Sequence, residues 1–329
     1  MSLAGLTKPC PPGFSDHIYD TKHGVELPLR IWPATSSLAI GKAKPWLMWI
    51  HGGGCIVGKH WVPNAWIVPA FLSHNYHVVS IAYRLSPQVT PFDQFDDCTS
   101  AFAWCLTHLP DILAGHFFQP RPRAVLDVFG LVDLTDPFYH EPKSCPDPTQ
   151  PLRFLCRWPE GSLEAMFKNH DPSHAEVCCP YTSELEPIMT FGKRREVWGV
   201  EYITSEKDYK RMDLFKHFIT NHEIFPLLFR KESFGTQEAY EVALKGFSGL
   251  HLLEHGKEYP PTVSRPGRTG YRFVKKLREL GAEVEALFCE GGEHSFENTI
   301  EGPESEGRDE YVVPCMAFLN NHVKSAVTE

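Results

Sequence analysis

Four consecutive residues, His51-Gly52-Gly53-Gly54, follow directly on the apolar run Pro45-Trp46-Leu47-Met48-Trp49-Ile50. Three glycines at a strand end let the backbone turn tightly and aim its amides at one point, which side chains would block. Amides gathered in this way stabilise the oxyanion of a tetrahedral intermediate, and losing one donor typically raises the barrier by about 3 kcal/mol. A glycine-rich turn with no chemical role has the same composition; the preceding strand is what favours the oxyanion reading. The pair Cys178-Cys179 has no second Cys/His pair at metal-ligand spacing. Free thiols are therefore expected there, and no metal site.

These residues need a scaffold. Apolar runs bounded by Pro and Gly place strands at residues 25–32, 45–50, 77–83, 123–129 and 283–289, the first of them antiparallel. Helices are expected over 61–75, 93–109, 271–280 and 311–323. In the second of these, Phe95, Cys98, Ala101, Phe102 and Cys105 recur at the spacing of one helical face. Between 140 and about 256 the texture changes: Pro, Cys and aromatic residues become dense, strand patterns disappear, and short helical pieces at 206–221 and 236–244 take over. Alternation of strand and helix on both sides of a helical insertion predicts an α/β fold. The sheet should be mainly parallel and twisted, with helices on both faces and a lid at about 140–256 inside one domain spanning 1–329.

Taken in order, His51-Gly52-Gly53-Gly54, then Tyr83-Arg84-Leu85-Ser86-Pro87, then a helix carrying Asp96-Asp97 and Ala103-Trp104 resemble the hormone-sensitive-lipase-like carboxylesterases of the α/β-hydrolase superfamily. Two mild departures are Ser86 for Ala and Gln88 for Glu. Glu290-Gly291-Gly292-Glu293-His294-Ser295-Phe296 is similar to the family's final loop, between a strand and the last helix. The resemblance covers about 40–130 and 257–325. It implies an α/β-hydrolase fold and ester hydrolysis by acyl transfer through a Ser/His/acid triad, with neither cofactor nor metal. Gly52, Gly53 and Gly54 would form the oxyanion hole, Gly53 and Gly54 supplying the amides. His51 would brace that loop, and His294 would be the general base.

Two pieces of the family pattern are missing. Between the Trp104 helix and the strand at 123–129 the family places a strand, a Gly-x-Ser-x-Gly elbow and a helix, which need about 25 residues or more. This chain has thirteen, residues 110–122, with no Ser, Thr or Cys among them. No Gly-x-Ser-x-Gly occurs elsewhere. Gly246-Phe247-Ser248-Gly249-Leu250 has the wrong glycine spacing and no preceding strand, and reads as a lid turn. Asp133 follows a strand, but an elbow needs small residues two places to either side, where Leu131 and Thr135 stand. The triad acid is the second gap, since no Asp or Glu lies between Tyr259 and Arg278. Without an acid, His294 loses the group that fixes its tautomer; in a worked serine protease the equivalent loss costs about 10⁴ in rate. The expectation is therefore an esterase by descent with no nucleophile and no acid, inactive as it stands, one interior strand–elbow–helix unit having been removed. Two clean excisions between recognisable motifs fit faulty exon joining or an alternative transcript better than gradual drift.

Composition narrows the partners. The formal net charge of −9 argues against nucleic acid or an anionic membrane as the main partner. No run approaches the roughly 18 apolar residues of a membrane span. The opening residues do not read as a secretion signal, and the ten cysteines do not read as a disulfide framework, so a cytoplasmic setting is expected. The expected partner is a small apolar ester or natural-product-like molecule. A different class of function is a non-catalytic pseudoenzyme that keeps the pocket to bind a small molecule or partner. A third outcome is poor folding, because buried backbone groups left unpaired by a missing strand cost about 1–3 kcal/mol each.

Overall fold

The computed structural model describes residues 10–34, 44–61, 63–113, 121–140, 158–181, 194–197, 199–265, 270–289 and 296–324. The first half runs β1 (Ser15–Lys22), β2 (Val25–Trp32), β3 (Trp46–Ile50), α1 (Ile67–Ser73), β4 (His77–Ile81), α2 (Pro91–Ile112) and β5 (Val125–Val128). A mostly helical middle follows: α3 (Ser162–Phe167), β6 (Arg194–Val197), β7 (Val200–Ile203), α4 (Glu206–Thr220), α5 (Ile224–Leu228), α6 (Gln237–Phe247) and α7 (Gly249–Glu254). The chain then resumes alternation with β8 (Thr262–Arg265), α8 (Gly270–Glu279), β9 (Val284–Ala286) and α9 (Val313–Lys324).

The strands outside the middle segment pair in two groups, β1-β2-β4-β3 and β5-β8-β9. β1 with β2 and β2 with β4 are antiparallel, whereas β3 with β4, β5 with β8 and β8 with β9 are parallel. A parallel strand paired on both edges and covered on both faces can carry an unbroken buried run. β4 and β8 do so, every residue of each being buried. β3 and β5 are only partly covered, and Ile50 at the end of β3 is 47% exposed. Among the described residues no strand pairs with the second edge of β3 or of β5. The sheet is thus divided between the strand that precedes the glycines and the strand that follows the thirteen-residue connection.

Side-chain packing shows the same division on one face only. α1 and α9 share a core in which Trp49 and Val78 of the first group meet Val263 of the second, with Leu47 and Leu126 packed against it. That layer spans both groups. On the other face α2 buries Ala101, Cys105 and Leu109 against Leu27, Leu29 and Ile81. α7 and α8 form a separate small core of Leu250, Leu253, Phe273 and Leu277.

Local chemistry explains where elements depart from the sequence expectation. The helix expected over 61–75 is confined to Ile67–Ser73, because Pro63 precedes a turn in which Ile67 N donates to Asn64 O (2.9 Å). By contrast α2 starts two residues early: Thr90 and Asp93 form a capping box, with Pro91 in the first turn. The strand expected over 77–83 stops at Ile81, since Arg84 N turns away to the Asp97 carboxylate (3.1 Å). The expectation that strands vanish from 140–256 is corrected by the hairpin of β6 and β7, paired Val197 to Val200. Two four-residue strands are too short to give a periodic signal against a Pro- and aromatic-rich background. β1, with its mixed polar pattern, also escaped sequence reading.

Candidate oxyanion site

β3 delivers His51 and the three glycines to the carboxyl end of the sheet. His51 is buried, and its ring stacks on Tyr83 at a centroid separation of 4.4 Å and an interplanar angle of 15°. Its Nδ1 lies 2.8 Å from Gly52 O, a carbonyl that can only accept, so Nδ1 carries the proton. Tyr83 returns a hydrogen bond from its hydroxyl to His51 O (2.9 Å). Burial pushes the His51 imidazole down to about 4, so it is neutral at neutral pH and serves as a packed, hydrogen-bonded plate.

After His51 the chain folds back on itself. Gly53 has φ 114° and its carbonyl accepts from the amides of Ile56 and Val57 (3.1 Å each). A Cβ on Gly53 would stand 2.0 Å from Val57 O, and one on Gly58 (φ 123°) would stand 2.2 Å from His51 Nδ1. Gly54 faces the Phe215 ring and the Ile224 side chain from α4 and α5. Gly52, in contrast, is exposed, and a Cβ there would meet nothing within 4 Å. The amides of Gly52, Gly53 and Gly54 donate to no acceptor among the described residues. Amides with no acceptor of their own are free to donate to a bound group.

α2 and the middle segment supply the clamp. Gln94 Nε2 donates to Cys55 O and Arg84 O, both at 2.9 Å, and Ser86 N donates to Cys55 O (2.9 Å). Arg84 forms a two-pronged pair with Asp97, Nε to Oδ2 at 2.9 Å and Nη2 to Oδ1 at 2.8 Å, both side chains buried. Its neighbour Asp96 faces outward to Lys22. From α4 the fully buried Arg211 donates to Ile56 O (3.3 Å), Ser86 O and Gln88 Oε1 (2.8 Å), and pairs with Glu176. Gly58 and Cys179 exchange backbone hydrogen bonds of 2.9 and 2.8 Å. Cys55, beside the glycines, is held as a neutral thiol, burial pushing it up to about 11.

The geometry stands beside four likenesses. Residues 47–119 match the model of a family described as having an alpha/beta hydrolase fold. Esterase B of Lactobacillus rhamnosis superposes with a TM-score of 0.52 at 14% identity, over 98% of this chain and 92% of that one. The chain has an α/β-hydrolase fold. A probable carboxylesterase of a Phoma species is 29% identical over 93 residues, covering 27% of this chain and 29% of that enzyme. A non-reducing polyketide synthase of Preussia isomera is 24% identical over 294 residues, covering 84% of this chain but only 13% of the synthase. The chain thus corresponds to a small part of that relative's length. The matched segment contains His51–Gly54 and the Tyr83-to-Pro87 run on which the hormone-sensitive-lipase-like resemblance rests.

The remaining site expectations sort as follows. His294 lies, with the rest of 290–295, outside the described residues, as do 114–120 of the shortened connection and 266–269 of the acid loop. Ser248 is fully buried between α6 and α7, where it donates to Val132 O (3.2 Å), as a turn residue would. Asp133 accepts from Thr135 through Oδ1 (2.9 Å) and pairs through Oδ2 with Arg272 (2.7 Å), so its carboxylate is tied up in structure.

One constellation was not singled out from sequence. Thr135 Oγ1 lies 2.8 Å from His251 Nε2, and His251 Nδ1 lies 2.7 Å from Glu254 Oε2. Hydroxyl, imidazole and carboxylate stand in catalytic order. Yet the single Thr135 proton is contested by Asp133, and the Thr135 amide is itself directed at Asp133 Oδ1 (3.2 Å) rather than at a space for an oxyanion. The constellation fastens α7 to the turn after β5, alongside Leu250 N to Val132 O (2.8 Å). Contacts 116 residues apart in sequence leave no local signal.

Proposed function

We propose that this α/β-hydrolase descends from a serine carboxylesterase, keeps its oxyanion loop and lid, and does not hydrolyse esters as it stands. In this reading Gly53 and Gly54, with Gly52 beside them, present the oxyanion amides. His51 braces them from behind, and His294 is the remnant base. Residues of about 140–256 form the lid of a single domain, and the setting is cytoplasmic. The observation that carries the proposal is a coincidence of place. The thirteen residues 110–122 contain no Ser, Thr or Cys, and the described sheet is divided at that connection, between β3 and β5. A nucleophile held on a strained turn needs a strand to hold it.

Esters with a bulky apolar acyl group are the substrate class to which the ancestral site was suited. Two features support this: the aromatic packing of Phe215, Phe218 and Phe225 around the loop, and the similarity of most of the chain to part of a polyketide synthase. The same framework supports a second reading, small-molecule binding without turnover. A hollow of about 520 Å³ lies between Gln88, Met166, His174 and Lys207, beside the oxyanion loop's support.

Labelling with a serine-directed fluorophosphonate, together with turnover of a short-chain nitrophenyl ester, tests the proposal. Neither should exceed a heat-denatured control. Stoichiometric labelling at any residue would defeat it and would locate a nucleophile. Sequencing the transcript across residues 111–114 and 263–270 then separates a shortened message from a genuine pseudoenzyme.

A further inference from the structure

The two strand groups meet at a buried polar seam. Glu297, in the turn Phe296–Thr299, is fully buried, and its Oε1 accepts from Asn64 Nδ2 of the segment leading into α1 (2.8 Å). Among the described residues its other oxygen, Oε2, has no partner. Arg265, the last residue of β8, is 1% exposed; Nη2 donates to Tyr311 O (2.5 Å), while Nε and Nη1 have no partner among the described residues. Its guanidinium sits 4.5 Å over the Trp66 ring, whose Nε1 likewise has none among them. Arg265 and Glu297 act on each other electrostatically, each favouring the other's charged form. The other titratable groups facing Arg265 are Tyr311 and Cys315 from the last helix and the turn before it. Burial pushes the Cys315 thiol up to about 12, so Arg265 is the charge that Glu297 meets.

Buried polar groups normally find partners, and one left unpaired costs about as much as a lost hydrogen bond. Here idle donors on Arg265 and Trp66 accompany an idle carboxyl oxygen. A neutral carboxyl leaves those donors idle, whereas an ionised carboxylate is an acceptor toward which the guanidinium is drawn.

We propose that Glu297 and Arg265 form a proton-operated switch on one side of the seam, each also holding a residue of the other side, Asn64 and Trp66. With Glu297 protonated, Asn64 alone holds it; on ionisation the guanidinium closes on the carboxylate and draws the turn Phe296–Thr299 toward β8. The linkage follows from burial. It pushes the folded carboxyl up to about 7 from the ordinary 4.5. Between those values the unfolded chain has released a proton that the folded chain retains, so stability is greatest below about 4.5 and falls as pH rises through 7.

The test follows Trp66 emission and urea unfolding from pH 5 to pH 8.5. In the natural chain the emission should change with a midpoint near pH 7. The change should vanish in Glu297→Gln and in Trp66→Phe, and Glu297→Gln should become more stable relative to the natural chain as pH rises. Asn64→Ala retains the carboxyl but removes the bond that favours its ionised form, so its midpoint should move upward. A transition that survives in Glu297→Gln, a stability difference that does not vary with pH, or an Asn64→Ala midpoint that stays or falls would each overturn the proposal. The readouts do not involve ester turnover, so they stand apart from the functional reading above.

Discussion

In the glycine loop after β3, Gly52, Gly53 and Gly58 meet different demands. Gly53 and Gly58 are required by backbone crowding: at Gly53 an added methyl would strike a carbonyl oxygen of the same turn, and at Gly58 it would strike the His51 ring. Both also occupy left-handed φ values that disfavour side chains. Gly52 carries neither burden. Accordingly, Gly58→Ala should destabilise the fold by at least about 2 kcal/mol through overpacking and strain, whereas Gly52→Ala should change urea unfolding by less than about 1 kcal/mol. Equal midpoint shifts for the two variants would contradict this account. Sequence reading found the His51–Gly54 motif from its spacing but passed over Gly58. Its signal, a lone glycine four places on, acquires meaning only once the loop is seen to return beneath the His51 ring.

Among elements, α2 organises more of the site than the glycine loop does. Its acidic pair divides the work: Asp97 faces inward to fix Arg84 at the end of β4, and Asp96 meets Lys22 at the surface. Removing one partner of a buried ion pair strands the other, at about 3–5 kcal/mol. An exposed pair contributes about 0–1 kcal/mol. Asp97→Ala should therefore lose several kcal/mol in chemical unfolding and Asp96→Ala less than about 1, and a reversal of that order would refute the assignment. The Asp96-Asp97 pair was visible in the sequence; which of the two turned inward was settled by the helix phase and by where Arg84 emerged. Arg211 was invisible by contrast. It looks like any charge on an amphipathic helix until α4 lies across the carbonyls of Ile56 and Ser86.

At the scale of the whole molecule, among the described residues β3 and β5 have one ladder each, while β4 and β8 have two. Amide exchange follows the free energy of local opening, and edges open more readily than strands paired on both sides. The amides of Met48 to Ile50 and of Val125 to Val128 should exchange at least about tenfold faster than those of Val78 to Ile81, measured by hydrogen exchange at neutral pH. Equal protection would mean that the gap is closed in solution. What holds the halves together is the continuous layer of α1 and α9, with Arg265 on Trp66 and Asn64 on Glu297 spanning the seam.

Sequence by itself determined the strand–helix alternation, the glycine loop at a strand end and the shortage of residues before β5, because all three are local properties of pattern and length. Tertiary structure decided that the described strands part between β3 and β5, that α4 clamps the glycine loop, and that Thr135 and His251 meet. Those outcomes depend on contacts between residues far apart in the chain, and spacing along a sequence carries no record of them.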